Sequence, residues 1–92
     1  MENVKVTGYN YAEKISNNKI KDILLKDIQI GDVIEFRSQY GWKDGCRIHK
    51  QGVWEITQTP KSVKKGDAVS VASNTFTGRK LDVSSIYDLI NQ

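Results

Sequence analysis

The chain has 92 residues, of which 38% are hydrophobic and 27% are charged, a composition typical of folded globular proteins and unlike that of disordered chains. A chain of this length has room for one modest core, so we expect a single domain over residues 1–92. Fourteen Lys and Arg against eleven Asp and Glu give a net charge of +3, which permits an anionic partner without requiring one.

The first residues predict a half-buried strand that is interrupted by a glycine. Val4 and Val6 alternate with polar residues, as expected when one face of a strand is buried. Gly8 then breaks the pattern, and a bulge there would turn Tyr9 and Tyr11 back toward the core.

The next segment is ambiguous in its periodicity. Residues 16–18 read as a turn. The apolar residues between 20 and 30 fit both helical and strand spacing, so we expect a short strand or a helical turn that leads to Gly31. In the strand that follows, Ile34 and Phe36 would point inward and Val33, Glu35 and Arg37 outward.

The second half predicts further short strands and one terminal helical turn. Trp54 and Ile56 share one face of a strand at residues 53–57, and residues 58–65 form a solvated connection. We expect the last strands at residues 68–73 and 80–83, joined by a connection at 74–78. Ser85 and Asp88 fit a capping box, so the chain would close with a helical turn that plugs an open barrel end.

Gly-Asp occurs twice directly before an alternating apolar run, at residues 31–32 and 66–67, and indicates two tight turns into strands. Together with turn signals every 8–12 residues, it predicts a mainly β fold: a small five- to six-stranded antiparallel barrel, SH3-like or OB-like, with a short C-terminal helical turn. The cadence of residues 52–56, 65–71 and 81–83 is similar to that of small OB barrels. The predicted core consists of Ile34, Phe36, Ile48, Trp54, Ile56, Val69, Val71, Leu81 and Val83.

Neither a catalytic nor a metal-binding motif stands out. Cys46 and His49 would project to opposite faces of a strand, and a structural zinc needs four ligands. The glycines are spaced as in hairpin turns and not as in a phosphate-binding loop. We therefore expect no enzyme, no metal and no cofactor, and read Cys46 as a buried thiol.

No apolar run approaches the roughly 20 residues that span a bilayer, and the first residues lack the apolar region of a signal peptide. The single cysteine cannot form an internal disulfide, which agrees with a reducing compartment. These features predict a cytoplasmic protein without a membrane partner.

A basic and aromatic set is the strongest candidate for a binding surface. Aromatic rings stack on unpaired bases while Lys and Arg contact phosphates, and Tyr, Trp and Arg also dominate protein interfaces. The predicted binding residues are Arg37, Tyr40, Trp42, Lys43, Arg47, His49 and Lys50. A second basic set would converge if two connections lie at one end of the barrel: Lys61, Lys64, Lys65, Arg79 and Lys80.

Three functions fit these observations. The leading hypothesis is a non-enzymatic binding module that binds nucleic acid through basic and aromatic loops. The alternative is a phage or mobile-element protein that binds and inhibits a larger host protein, such as a defence nuclease. A third option is a structural or virion subunit.

Overall fold

The computed structural model describes residues 1–8, 10–38, 46–64 and 73–91, and within these ranges seven antiparallel strands form one sheet. The strands lie in the order β3-β2-β4-β6-β7-β1-β5, which confirms the predicted mainly β class. Their bounds are β1 Glu2–Thr7, β2 Asn10–Ser16, β3 Lys19–Leu24, β4 Val33–Ser38, β5 Arg47–Ile48, β6 Val53–Gln58 and β7 Ser73–Lys80. A 3-10 turn, Leu25–Asp27, and a helix α1, Tyr87–Ile90, complete the secondary structure.

Two of the predicted turns are confirmed by backbone geometry. Asn17 and Asn18 have φ values of 53° and 61°, the conformation that a two-residue hairpin loop requires, and they join β2 to β3. Gly31 has a φ of 95°, and the Asp32 carboxylate accepts a hydrogen bond from the Gln29 amide at 2.8 Å. Between these two turns, the chain contains both structures that its periodicity allowed: the strand β3 and the 3-10 turn that follows it.

The core lies on one face of the sheet. Trp54 is fully buried, and the Phe36 and Phe76 rings pack with centroids 5.1 Å apart. The buried cluster consists of Val4, Val6, Ala12, Leu25, Ile28, Ile34, Phe36, Trp54, Ile56 and Phe76, with Ile23, Ile48 and Val63 packed against it. Of the predicted core residues, Ile34, Phe36, Trp54 and Ile56 are confirmed, Ile48 is half-buried, and Val69 and Val71 lie outside the described residues.

The predicted connection at residues 74–78 is wrong, because these residues form the middle of β7 and pair with β1 on one side and β6 on the other. Asn74, Phe76 and Gly78 face the core, and polar threonines alternate with them. The alternation contains only one large apolar residue, which is why it does not read as a strand. The predicted strand at 80–83 is also wrong beyond its first residue, since β7 ends at Lys80 and both Leu81 and Val83 are half-buried outside the core cluster.

The sheet has seven strands in the described residues where five or six were predicted, because Asn10–Ser16 form a separate strand, β2, that pairs with both β3 and β4. The sheet curls, because β5 is the last strand in the order and yet lies near β4, which is the third of the seven strands. Within the described residues no strand pairing closes the sheet. Barrel closure and the SH3-like or OB-like topology therefore stay predictions.

The C-terminal turn forms as predicted but in a different place. Ser85 Oγ accepts a hydrogen bond from the Tyr87 amide at 3.3 Å, and the Ser85 amide donates to Asp88 Oδ2 at 3.2 Å. This reciprocal pair resembles a capping box, with the Ser85 hydroxyl bonded two residues ahead where the standard motif bonds three residues ahead. The turn does not plug a barrel end, because Ile86 is buried and its amide donates to Glu35 on the outer face of β4 at 2.8 Å.

Trp54→Ala tests the core. Loss of the buried ring leaves a cavity and is expected to lower the free energy of unfolding by about 3–5 kcal/mol in a urea melt. Trp54→Phe is the control, with a smaller loss, because it keeps a ring and removes an indole N–H that has no hydrogen-bond partner in the described residues. A loss below about 1 kcal/mol for Trp54→Ala would contradict the position of Trp54 in the core.

Gly78→Ala tests the pairing of β6 with β7. A Cβ at Gly78 would lie 2.7 Å from the Glu55 carbonyl oxygen, so the two strands would have to separate, at a cost of about 1–3 kcal/mol in the free energy of unfolding. Thr75→Ala, at an exposed position of the same strand, should change stability much less. Equal losses in the two variants would show that the close approach at Gly78 is absent.

Candidate nucleic-acid interface

Cationic side chains follow one edge of the sheet, where residues 47–50 run antiparallel to β1. Thr7 lies opposite Arg47, and the His49 amide donates to the Lys5 carbonyl at 2.7 Å. Further along, Lys50 Nζ lies 3.0 Å from Glu2 Oε1. Val4 and Val6 face the core, so Lys5 between them faces solvent.

Lys80 extends this row at the end of β7. Glu2 lies opposite Gly78 in the pairing of β1 with β7, so Lys80, two residues further, follows at the same end of the sheet. Its charge contributes to the lowered pKa of the Glu2 carboxylate, whose main cause is the hydrogen bond from Lys50. We call the set Lys5, Arg47, His49, Lys50 and Lys80 the basic edge.

The basic edge contains three of the seven predicted binding residues, Arg47, His49 and Lys50, and it adds Lys5 and Lys80. Arg47 and His49 are exposed, and neither side chain has a carboxylate partner among the described residues. The alternation of Lys5 with Val4 and Val6 was a signal that could have found Lys5. Tyr40, Trp42 and Lys43 lie outside the described residues, so their binding role stays a prediction.

Arg37 lies elsewhere, on the outer face of β2 and β4. Its Nε donates to Glu13 Oε1 at 2.7 Å and its Nη1 to Glu35 Oε2 at 2.5 Å. Burial disfavours the charged guanidinium, but the hydrogen bonds to Glu35 and Glu13 outweigh it and raise the pKa of Arg37. With two carboxylates bound, Arg37 is suited to holding the fold together, and its binding role stays a prediction.

The carboxylates that Arg37 binds also hold the C-terminal turn. Glu35 accepts the Ile86 amide, and Glu13 Oε2 accepts a short hydrogen bond from the Tyr87 hydroxyl. That hydrogen bond is the main cause of the raised pKa of Tyr87, because only the protonated phenol can donate it, and the negative charge of Glu13 acts in the same direction. We call Glu13, Glu35, Arg37 and Tyr87 the outer-face cluster.

The second predicted basic set does not converge at one point in the described residues. Arg79 pairs with Glu55 at 3.0 Å on the outer face, whereas Lys80 belongs to the basic edge. The backbone of Lys64 is held by Asn74, whose side-chain amide accepts from the Lys64 N–H and donates to its carbonyl. Lys61 is exposed, and Lys65 lies outside the described residues.

The remaining candidates for chemistry are separated in space. Cys46 is buried and His49 is exposed, as opposite faces of a strand require. Asp32 serves its turn and pairs with Lys14 at 2.9 Å. Within residues 1–8, 10–38, 46–64 and 73–91, no three His, Cys, Asp or Glu side chains are grouped as a metal site.

Comparisons with known proteins add no functional information, because no protein-family model, curated protein or solved structure matches the chain. In the part of the chain that the structure describes, no helix has the length and apolar character to cross a membrane.

Arg37→Met tests the outer-face cluster. Glu13 and Glu35, each with a side chain about one-tenth exposed, would face one another without a cation. We expect a loss of about 1–3 kcal/mol in the free energy of unfolding, below the 3–5 kcal/mol of a fully buried pair because the guanidinium is one-third exposed. Arg79→Met is the control and should cost less than about 1 kcal/mol, since its pair with Glu55 is exposed. Equal losses in urea melts would contradict a special role for Arg37.

Proposed function

We propose that the chain is a small non-enzymatic β module that binds single-stranded nucleic acid along the basic edge. The observation that carries this proposal is the arrangement of Lys5, Arg47, Lys50 and Lys80 along β1 and the end of β7. Cations in a row match the repeated phosphates of a strand, and phosphate contacts supply most of the affinity of nonspecific nucleic-acid binding.

The spacing of the cations along the basic edge also suits a nucleic-acid strand more than a single small anion. Arg47 lies opposite Thr7 at one end of β1, and His49 lies beside Lys5 further along. The Lys50 side chain reaches Glu2 at the other end of β1, where Lys80 follows. At about 3.4 Å per residue, these positions span several nucleotides. The predicted stacking residues Tyr40 and Trp42 immediately precede this segment in the sequence.

A protein partner is the second candidate, and a different surface favours it. On the outer face of the β2–β3 hairpin, Leu24 is 56% exposed beside Tyr11 and Asp22, which line a cavity of about 290 Å³ with Ile23. Tyr87, 47% exposed, lies on the same face through its bond to Glu13. Exposed aromatic and aliphatic side chains of this kind anchor protein interfaces, and a host protein inhibited by this chain would be such a partner.

Titration of fluorescent single-stranded DNA and RNA, roughly 15–20 nucleotides long, separates the two candidates. We expect binding at about 50 mM salt that weakens steeply by about 200 mM, with a slope of roughly −0.7 per phosphate contacted. Lys5→Ala, Arg47→Ala and Lys80→Ala should each weaken binding and reduce this slope by about one contact.

Lys21→Ala and Lys26→Ala are the matched controls, because each removes one exposed positive charge away from the basic edge. Equal weakening in control and edge variants would mean that only net charge matters and would contradict the proposed site. A folded protein that binds neither oligonucleotide at about 50 mM salt, where phosphate contacts are strongest, would overturn the nucleic-acid proposal in favour of a protein partner.

A further inference from the structure

An ion pair at one end of the basic edge joins Glu2 to Lys50. Glu2 Oε1 lies 3.0 Å from Lys50 Nζ, and both side chains are well exposed, at 47% and 39%. The hydrogen bond and the charge of Lys50 are the main causes of the lowered pKa of Glu2, and the charge of Lys80 adds to them. Lys80 follows two residues after Gly78, which pairs with Glu2, so both lysines belong to the same end of the sheet.

Lys80 is positioned by the backbone beneath it. A Cβ built at Gly52 would lie 2.8 Å from Lys80 Cε, so the aliphatic part of Lys80 packs directly over Gly52. Gly52 also has a φ of 136°, a backbone conformation that residues other than glycine rarely adopt. The backbone at residue 52 thus leaves room for Lys80 alongside a groove of about 370 Å³, lined by residues 51–52 and 80–84.

We propose that Lys50 and Lys80 form a phosphate site at the Glu2 end of the basic edge, beside the groove that Lys80 lines, and that the Glu2 carboxylate binds Lys50 in the free protein as an internal competitor of the phosphate. This inference rests on the proposed function and extends it to a defined contact. A carboxylate and a phosphate oxygen accept the same hydrogen bonds from an ammonium group, and a phosphate offers more acceptors and more charge.

The competition is weak enough to be reversed by a ligand. Exposed ion pairs contribute little to stability, so a phosphate that contacts both lysines would displace Glu2 readily. Asp82 also lines the groove. Because its negative charge repels a phosphate, we expect the phosphate to approach from the side of Lys50 and Lys80. Glu2 would therefore reduce affinity for a phosphate without abolishing it.

Glu2→Gln tests this proposal because it keeps the size of the side chain and removes its charge. We expect oligonucleotide binding at about 50 mM salt to tighten by about two- to fivefold, the fold-change that corresponds to an exposed ion pair. Glu55→Gln is the matched control: it changes the net charge equally and removes another exposed 3.0 Å pair, with Arg79. Its effect should be clearly smaller, and Lys50→Ala in the Glu2→Gln background should remove the gain.

A second arm uses inorganic phosphate and follows the side-chain signals of Lys50 and Lys80 by NMR. Phosphate should change the chemical shifts of these lysine side chains more in Glu2→Gln than in the unsubstituted protein, and this result supports the site. If neither protein binds the oligonucleotides, the same result supports a site for free phosphate. Oligonucleotide binding that Glu2→Gln leaves unchanged, or that Glu55→Gln strengthens equally, overturns the proposal and leaves the proposed function intact. If neither the protein nor Glu2→Gln binds oligonucleotides or phosphate, both this proposal and the proposed function are overturned.

Discussion

The fold depends on how one cation resolves a conflict that strand pairing creates. The register of β2 with β4 puts Glu13 directly opposite Glu35, and like charges in that position destabilise a sheet. Arg37 binds both carboxylates, and the oxygens that remain accept the Ile86 amide and the Tyr87 hydroxyl. The ion cluster that offsets the repulsion between Glu13 and Glu35 therefore also attaches the C-terminal turn. As a result, β4 packs against the core on one face and against the C-terminal turn on the other.

The residues of β3 disfavour pairing of this edge strand with another copy of the chain. Among the strands that the structure describes, β3 pairs only with β2, and unpaired edges invite pairing with other chains. Two copies related by a two-fold axis would place Lys21 opposite Lys21, or Asp22 opposite Asp22, in the registers that overlap most of β3. Lys19 and Lys21 also project from the face that Ile23 packs toward the core, and charged residues on the inner face of an edge strand discourage extension of the sheet. The exposed Leu24 on the outer face is thus better suited to side-chain contacts than to strand addition.

The sequence predicts most of the fold where apolar alternation is strong and little where polar residues interrupt it. Ile34, Phe36, Trp54 and Ile56 are predictable because large apolar residues recur every second position. β7 is not, because threonines and a glycine surround Phe76, and its burial follows only from the neighbouring strands. Arg47, His49 and Lys50 are predicted as one set, but their alignment with Lys5 and Lys80 depends on long-range pairing. The outer-face cluster depends on it too, since residues 13, 35 and 87 are distant in the chain.

Salt affects two sets of interactions in the protein differently. The core and the partly buried outer-face cluster are shielded from solvent ions, whereas the basic edge is exposed and interacts with ligands over a screening length of about 8–10 Å at moderate ionic strength. Raising the salt concentration should therefore release an anionic ligand long before it disturbs the sheet. The steep salt dependence of phosphate binding can then be measured on a folded protein, because the interactions that maintain the fold and those proposed to bind the ligand use different residues.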